Sequence, residues 1–390
     1  MKNVHITLSK NNSIKNCINI SESDLNINTN IYKTHQIEPE SLTEVSCDMI
    51  TQKSHLIRYV FKQLDVLLKV GGYFKMFLID SKFHSGYFLS KDQVKYEFGI
   101  STNGGYSLIK EQTKDGYLIL KFIKKQNILE INDSINKWSF GIPSGGKKDH
   151  LVTKLIQSIE KQKIPNYEII ICGQYQDKKI LLNQNIKVLD DVKLKDDIRI
   201  PICHKKNKII KYAKYENLCI LHDRFSLGNN WFTNMKAFGN YFDFLCLPTI
   251  DSNGNRFPVD WMKFTFPLIK RNFRNLHIPY DKWHPDLIIQ GGVILGKKSH
   301  FLRSILDERI YWGEIEDLHF SKTAYLNGSF FGTDCENFFI SESVNQLTFV
   351  NIDSFNYKLK NYIKWHYSLI VSYLNFNKMK NNYLDKINTK

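Results

Sequence analysis

A chain of 390 residues, 42% hydrophobic and 24% charged, has room for two or three domains, and this composition excludes wholesale disorder, a membrane bundle and a small disulfide-stapled scaffold. Its 54 Lys and Arg against 39 Asp and Glu leave a net charge of +15, which favours an anionic partner such as nucleic acid, a nucleotide-bearing substrate or an acidic membrane surface. The seven cysteines form no CxxC pair, and three sit in apolar runs, so a reducing, cytoplasmic compartment is expected. Neither the long apolar core of a signal peptide nor a run of ~18 apolar residues is present.

Residues 1 to about 45 are rich in Asn, Ser, Thr and Ile and predict irregular structure or edge strands. Leu56, Val60, Leu64 and Leu67 lie on one helical face, with Gly71 and Gly72 as the expected stop before the strand YFKMFLID. Gly86 to Ile123 reads as strands joined by a turn at Asn103, Gly104 and Gly105, and KKQNILEINDS reads as a linker. Together these make an accessory α/β domain over 1–133.

The pattern changes at Lys137. WSFGIP predicts a strand, His150 to Gln162 a helix and YEIIICG a second strand, an order that implies a parallel sheet with a right-handed crossover. NIKVL, NLCILHD, FDFLCLPTI and LIIQGGVILG predict further strands, and Trp231–Phe238, Lys298–Leu306 and Asp317–Leu326 predict helices. This domain spans 134–345. A basic helical extension occupies 346–390, where Ile363, Tyr367, Ile370 and Leu374 recur at helical spacing. It either docks on the α/β domain or lies against an anionic membrane as a peripheral contact.

In such sheets ligands bind beyond the carboxyl ends of the strands, so the residues after each apolar run are the candidates. NLCILHDRFSL delivers His222 and Asp223 there. A carboxylate in that place either ligates a hard cation that neutralises a diphosphate or caps the following segment. Glu316 and Asp317 open a helix, where the macrodipole favours acids; beside Trp312, whose flat face suits a sugar ring, a carboxylate is also a suitable general base. His319 either joins the metal site or stays on the helix surface. Trp231, Trp261 and Trp283 are read as core or as further sugar-stacking platforms.

SFGIPSGGKKDHLVTKLIQSIEKQKIPNYEIIICG resembles the opening strand, helix and strand of GT-A glycosyltransferases, especially the family 2 type, through Pro143, Ser144, Gln162, Pro165 and Glu168 to Gly173. HKKNKIIKYAKYENLCILHDRFSL, QGGVILGKKSHF and WGEIEDLHFS are similar to later blocks of that family and follow in its order over about 137–335. The resemblance implies an α/β, Rossmann-like GT-A catalytic domain flanked by a smaller N-terminal α/β domain and a C-terminal helical tail. It further implies a nucleotide-sugar donor across Pro143, Ser144, Gly173 and Gln174, with Lys206, Asn207 and Arg224 nearby. Mn²⁺ or Mg²⁺ would sit on Asp223 with His222 and His319, and Gly291, Gly292 and Trp312 would face a glycan, glycolipid or protein acceptor. Asp317, with Glu316 beside it, would be the base of an inverting transfer. Two departures matter: the usual Asp-x-Asp reads His222, Asp223, Arg224, and Gly173 stands where many relatives carry an acid.

DMITQKSHLIRYVFKQLDVLLKVGGYFKMFLID weakly resembles the later half of a class I methyltransferase, without the G-x-G-x-x-G fingerprint, which implies a degenerate domain. Competing readings are nucleotidyl transfer, for which Gly145, Gly146 and Lys147 offer a faint phosphate loop, a catalytically inactive GT-A-like module, and a basic nucleic-acid-binding module. Against the last, the lysines are dispersed and no RNA-binding aromatic signature is present, so no nucleic-acid partner is expected.

Overall fold

The computed structural model describes residues 6–9, 18–20, 33, 36–48, 57–79, 89–114, 117–126, 133–177, 179–192, 199–257, 260–263, 277–280, 282–284 and 286–342. The expected C-terminal basic helix lies outside them. The chain divides into two compact units, Met1–Leu129 with Ile363–Lys390, and Glu130–Tyr362. No helix among the described residues is long and apolar enough to cross a membrane. Of the described cysteines, Cys47, Cys172, Cys203, Cys219 and Cys246 are buried thiols and Cys335 is an exposed one.

The first unit contains β1 (Ile6–Ser9), β2 (Ile18–Ile20), β3 (Leu42–Asp48), α1 (Ile57–Leu67), β4 (Leu68–Ile79), α2 (Lys91–Ser101), β5 (Tyr106–Lys114) and β6 (Tyr117–Lys124). Its sheet runs β2-β1-β3-β4-β6-β5, and only β3 and β4 are parallel. β3, α1 and β4 give the strand–helix–strand order that the resemblance quotes, with the two strands paired in parallel. Two local expectations change. The helix ends at Leu67 and runs straight into β4, so Gly71 and Gly72 lie inside the strand, where the β3–β4 register shifts. The first part of 86–123 is helical, because Ser90 and Gln93 form a reciprocal capping box that satisfies backbone donors at the start of α2. Phe98 of α2 then packs among Phe61, Phe74 and Phe122, with ring centroids 4.6–5.0 Å apart.

The second unit begins with β7 (Lys137–Pro143), α3 (Asp149–Glu160), β8 (Asn166–Cys172), β9 (Ile186–Leu189), α4 (Ile202–Tyr212), β10 (Asn217–Leu221), β11 (Phe225–Leu227) and α5 (Trp231–Phe238). It continues with β12 (Phe244–Cys246), β13 (Thr249–Ile250), β14 (Met262–Lys263), β15 (Leu287–Ile288), β16 (Val293–Lys297), α6 (Lys298–Arg303), α7 (Glu316–Leu326), β17 (Phe331–Thr333) and β18 (Phe339–Ser341). The seven-stranded sheet has the order β17-β12-β16-β10-β7-β8-β9. β8, β7 and β10 are parallel, as the strand–helix–strand reading requires, while β16 runs antiparallel to β10 and β12. The class is α/β, with helices covering the sheet.

Near-continuous apolar runs such as EIIIC and NLCIL suit strands buried on both faces. α3 turns Val152, Leu155, Ile156 and Ile159 onto this sheet's core, beside Trp138, Phe140 and Trp231. Trp231 and Trp261 are core residues; Trp283 donates to the Phe331 carbonyl at 2.8 Å and stacks on Phe330. The strand order turns back at β7, with β8 and β9 to one side and β10 to the other. In α/β sheets such a switch point is where ligands bind, beyond the carboxyl ends of the strands.

Candidate active site

At the end of β7 the chain continues from Pro143 into buried Ser144, whose hydroxyl donates to the Gln174 carbonyl at 2.7 Å and accepts from Gly146 N at 3.2 Å. Beyond β8, Gly173 has φ +123°, and a Cβ there would lie 2.1 Å from the Ser144 carbonyl oxygen. Any side chain at 173 would thus meet the backbone of Ser144. Lys205 fills the neighbouring space, donating to the Ser144 carbonyl at 2.7 Å and pairing with Asp191 at 2.6 Å.

α4 places Lys205, Lys206 and Asn207 on its buried side, and a buried ammonium needs partners. Lys206 donates to the Gly291 carbonyl at 2.8 Å and meets Glu316 Oε1 at 3.4 Å. Asn207 binds the Leu306 carbonyl at 2.8 Å, Glu308 at 3.0 Å and Leu306 N at 3.1 Å. Both residues, expected beside the donor, therefore use their polar atoms to hold the loop and helix that carry the acids.

The Gly291–Gly292 turn joins the parts. His222 N donates to the Gly292 carbonyl at 2.9 Å, and Gly291 N donates to Asp317 Oδ2 at 3.1 Å. A Cβ on Gly291 would stand 2.7 Å from Glu316 Oε1 and 3.2 Å from the Asp317 Cβ, so glycine lets α7 bring its acids against the end of β10. Asp317 is half-buried, and its Oδ1 accepts from Leu318 N at 2.8 Å. Burial foremost, then Glu316, pushes its carboxyl up; the Gly291 and Leu318 N–H groups and Lys206 oppose this. Trp312 is 52% exposed on the loop leading to α7, with Ile315 and Ile200 also exposed. The Trp312 N–H is tied to the Ile200 carbonyl at 3.1 Å.

The metal trio of the sequence reading does not assemble. His222 is buried, with Nε2 lacking a hydrogen-bond partner and its imidazole held well below the ordinary value by burial and by Lys206 and Arg224. His319 is exposed on α7. Among the described residues no group of three His, Cys, Asp or Glu is placed to hold a metal ion. Asp223 is half-buried and its carboxyl is pushed up by burial, although Lys148, Arg224 and His150 pull the other way. A lone carboxylate beside the cationic Lys148 and Arg224 does not fit a resident divalent cation. Sequence reading missed Lys148 and His150; the signal was the basic run GGKKDH directly after the first strand.

No protein-family model matches the chain, and no curated protein does. Its fold is similar to solved structures of S. aureus TarS. One is 18% identical and aligns over 53% of this chain and 37% of that one, with a TM-score of 0.37. TarS 1-349 in complex with UDP is 16% identical over 52% of this chain and 60% of that one, TM-score 0.37. The complex with UDP-GlcNAc is 17% identical over 54% and 60%, TM-score 0.35. The chain thus spans 37% to 60% of the length of these structures.

Proposed function

We propose that this chain is a GT-A-type glycosyltransferase that moves a sugar from a nucleoside-diphosphate sugar to a hydroxyl of a glycan, glycolipid or protein acceptor, with inversion. One observation carries the reading: the Gly291–Gly292 turn is hydrogen-bonded to the end of β10 on one side and to Asp317 on the other. A carboxylate with a raised proton affinity is thereby joined to the mouth of a nucleotide-type sheet.

The nucleoside lies along Ser144, Gly173 and Gln174, and the sugar points toward the Gly291–Gly292 turn. The acceptor rests against Trp312. Asp317 takes the proton from its hydroxyl; the oxygen bonds to the anomeric carbon as the bond to the diphosphate breaks, and the nucleoside diphosphate leaves. Retention by double displacement needs a second, nucleophilic carboxylate. Glu316 is buried and committed to Lys206, which supports the single-base, inverting reading.

The test is release of nucleoside diphosphate from a panel of UDP-, GDP- and TDP-sugars, UDP-GlcNAc among them, by wild type and Asp317→Asn. Release from one donor, lost in the variant, is the expected result. Turnover that survives Asp317→Asn removes Asp317 as the base, and absence of all nucleotide binding overturns the reading.

A further inference from the structure

The buried cations of the second unit differ in how they are satisfied. Lys205, Lys206, Lys297 and Arg256 each have named hydrogen-bond acceptors. Arg224 Nε is enclosed and has none, a condition shared among the described cationic side chains only by Lys263 Nζ. Lys263 has the Asp286 carboxylate acting on it, whereas the acids acting on Arg224 are Asp223 and Glu316, at the site itself.

The backbone around Arg224 is anchored. Its carbonyl accepts from Glu342 N at 2.8 Å, while the Glu342 carboxylate holds Ser226 Oγ at 2.7 Å and Lys154 at 2.6 Å. Lys154 belongs to α3, and Ser158 one turn later accepts from Leu227 N at 3.1 Å. These bonds fix α3 beside β11. The exposed Lys148 and His150 at the start of α3 are thereby held on the side where Asp223 and Arg224 leave β10.

We propose that Arg224, Lys148 and His150 neutralise the diphosphate of the donor in place of a resident divalent cation, so that nucleoside diphosphate binding does not require metal. This rests on the nucleotide-sugar reading above. A guanidinium pairs with phosphate oxygens through several N–H groups, and an enclosed, unpartnered Nε–H is a donor waiting for an acceptor. Asp223 then serves as the neighbouring acid that acts on the Arg224 guanidinium.

Calorimetric titration of the full chain with UDP, GDP, uridine and guanosine, in EDTA and in Mg²⁺ or Mn²⁺, tests this. The matching diphosphate should bind in EDTA within about threefold of its affinity in metal, and Arg224→Met or Lys148→Met should each weaken it about tenfold while sparing the nucleoside. Retained nucleoside binding shows that the variants are folded. Diphosphate binding that disappears in EDTA and returns with metal, or that ignores both substitutions, overturns the inference and leaves the transferase reading standing. Failure of every nucleoside and nucleotide to bind overturns both.

Discussion

Two enclosed cations at opposite ends of the seven-stranded sheet, Lys297 and Arg224, are treated in opposite ways. At the floor, Lys297 at the end of β16 pairs with Asp133 at 2.5 Å and donates to Asn217 at 2.8 Å and Asn240 at 3.1 Å. Asn217 and Asn240 extend the network through their own amides to Ser134, Lys137 and Asp133. At the mouth, Arg224 and His222 keep enclosed nitrogens without partners. A buried polar group left unmatched costs free energy, so the floor reads as structure and the mouth as a place shaped for a ligand.

If the mouth works and the floor only holds, the largest effect belongs to Asp317→Asn. Turnover should fall roughly 10²- to 10⁴-fold with donor binding preserved, read by steady-state kinetics beside calorimetry. Substitution at the floor should behave inversely. Lys297→Met strands Asp133 and should cost about 3–5 kcal/mol in denaturant unfolding while leaving turnover per folded molecule unchanged. Arg224→Met removes an enclosed unpartnered donor and should leave stability unchanged or raise it by about 1 kcal/mol. A stability loss at Arg224 as large as that at Lys297 would erase the distinction between the two ends.

The pH dependence sharpens the same contrast. The Asp317 carboxyl is raised in the folded state by burial and by Glu316, against Lys206 and the Gly291 and Leu318 N–H groups. A folded value above the unfolded one favours folding below the unfolded value, and that contribution is lost as pH rises through the folded value. The base forms over the same rise. Turnover should therefore climb with pH through the raised value while the contribution of Asp317 to stability declines, a divergence that paired pH–rate and thermal-unfolding profiles of wild type and Asp317→Asn would detect. The smallest effect is expected at exposed Trp312: Trp312→Ala should change stability by no more than about 0.5 kcal/mol yet raise the KM for the acceptor.

Much of the second unit was legible in its pattern. The apolar runs at 137–143 and 166–172 and the amphipathic helix between them are local signals, and so is the paired acid at the start of α7. The first unit was less legible. Gly71 and Gly72 look like a helix stop but sit inside β4, and the helix at Lys91–Ser101 was missed although Ser90 and Gln93 carry a capping-box spacing. At the site, the contact between Asp317 and the Gly291–Gly292 turn and the partners of Lys206 and Asn207 lie between segments far apart in sequence, where no local signal marks them.

By itself the sequence determined part of the second unit, namely the parallel β7–α3–β8 start, the strand at 217–221 and the acids and cations available at the strand ends, because side-chain periodicity and charge are properties of neighbouring residues. Tertiary structure alone decided which of those groups are satisfied. Lys206 finds Glu316 across 110 residues and Gly291 across 85, Lys297 finds Asp133 across 164, and Arg224 Nε finds no partner. Partnership and burial depend on contacts between distant segments, and they distinguish a cation that supports the fold from one whose Nε has no partner within it.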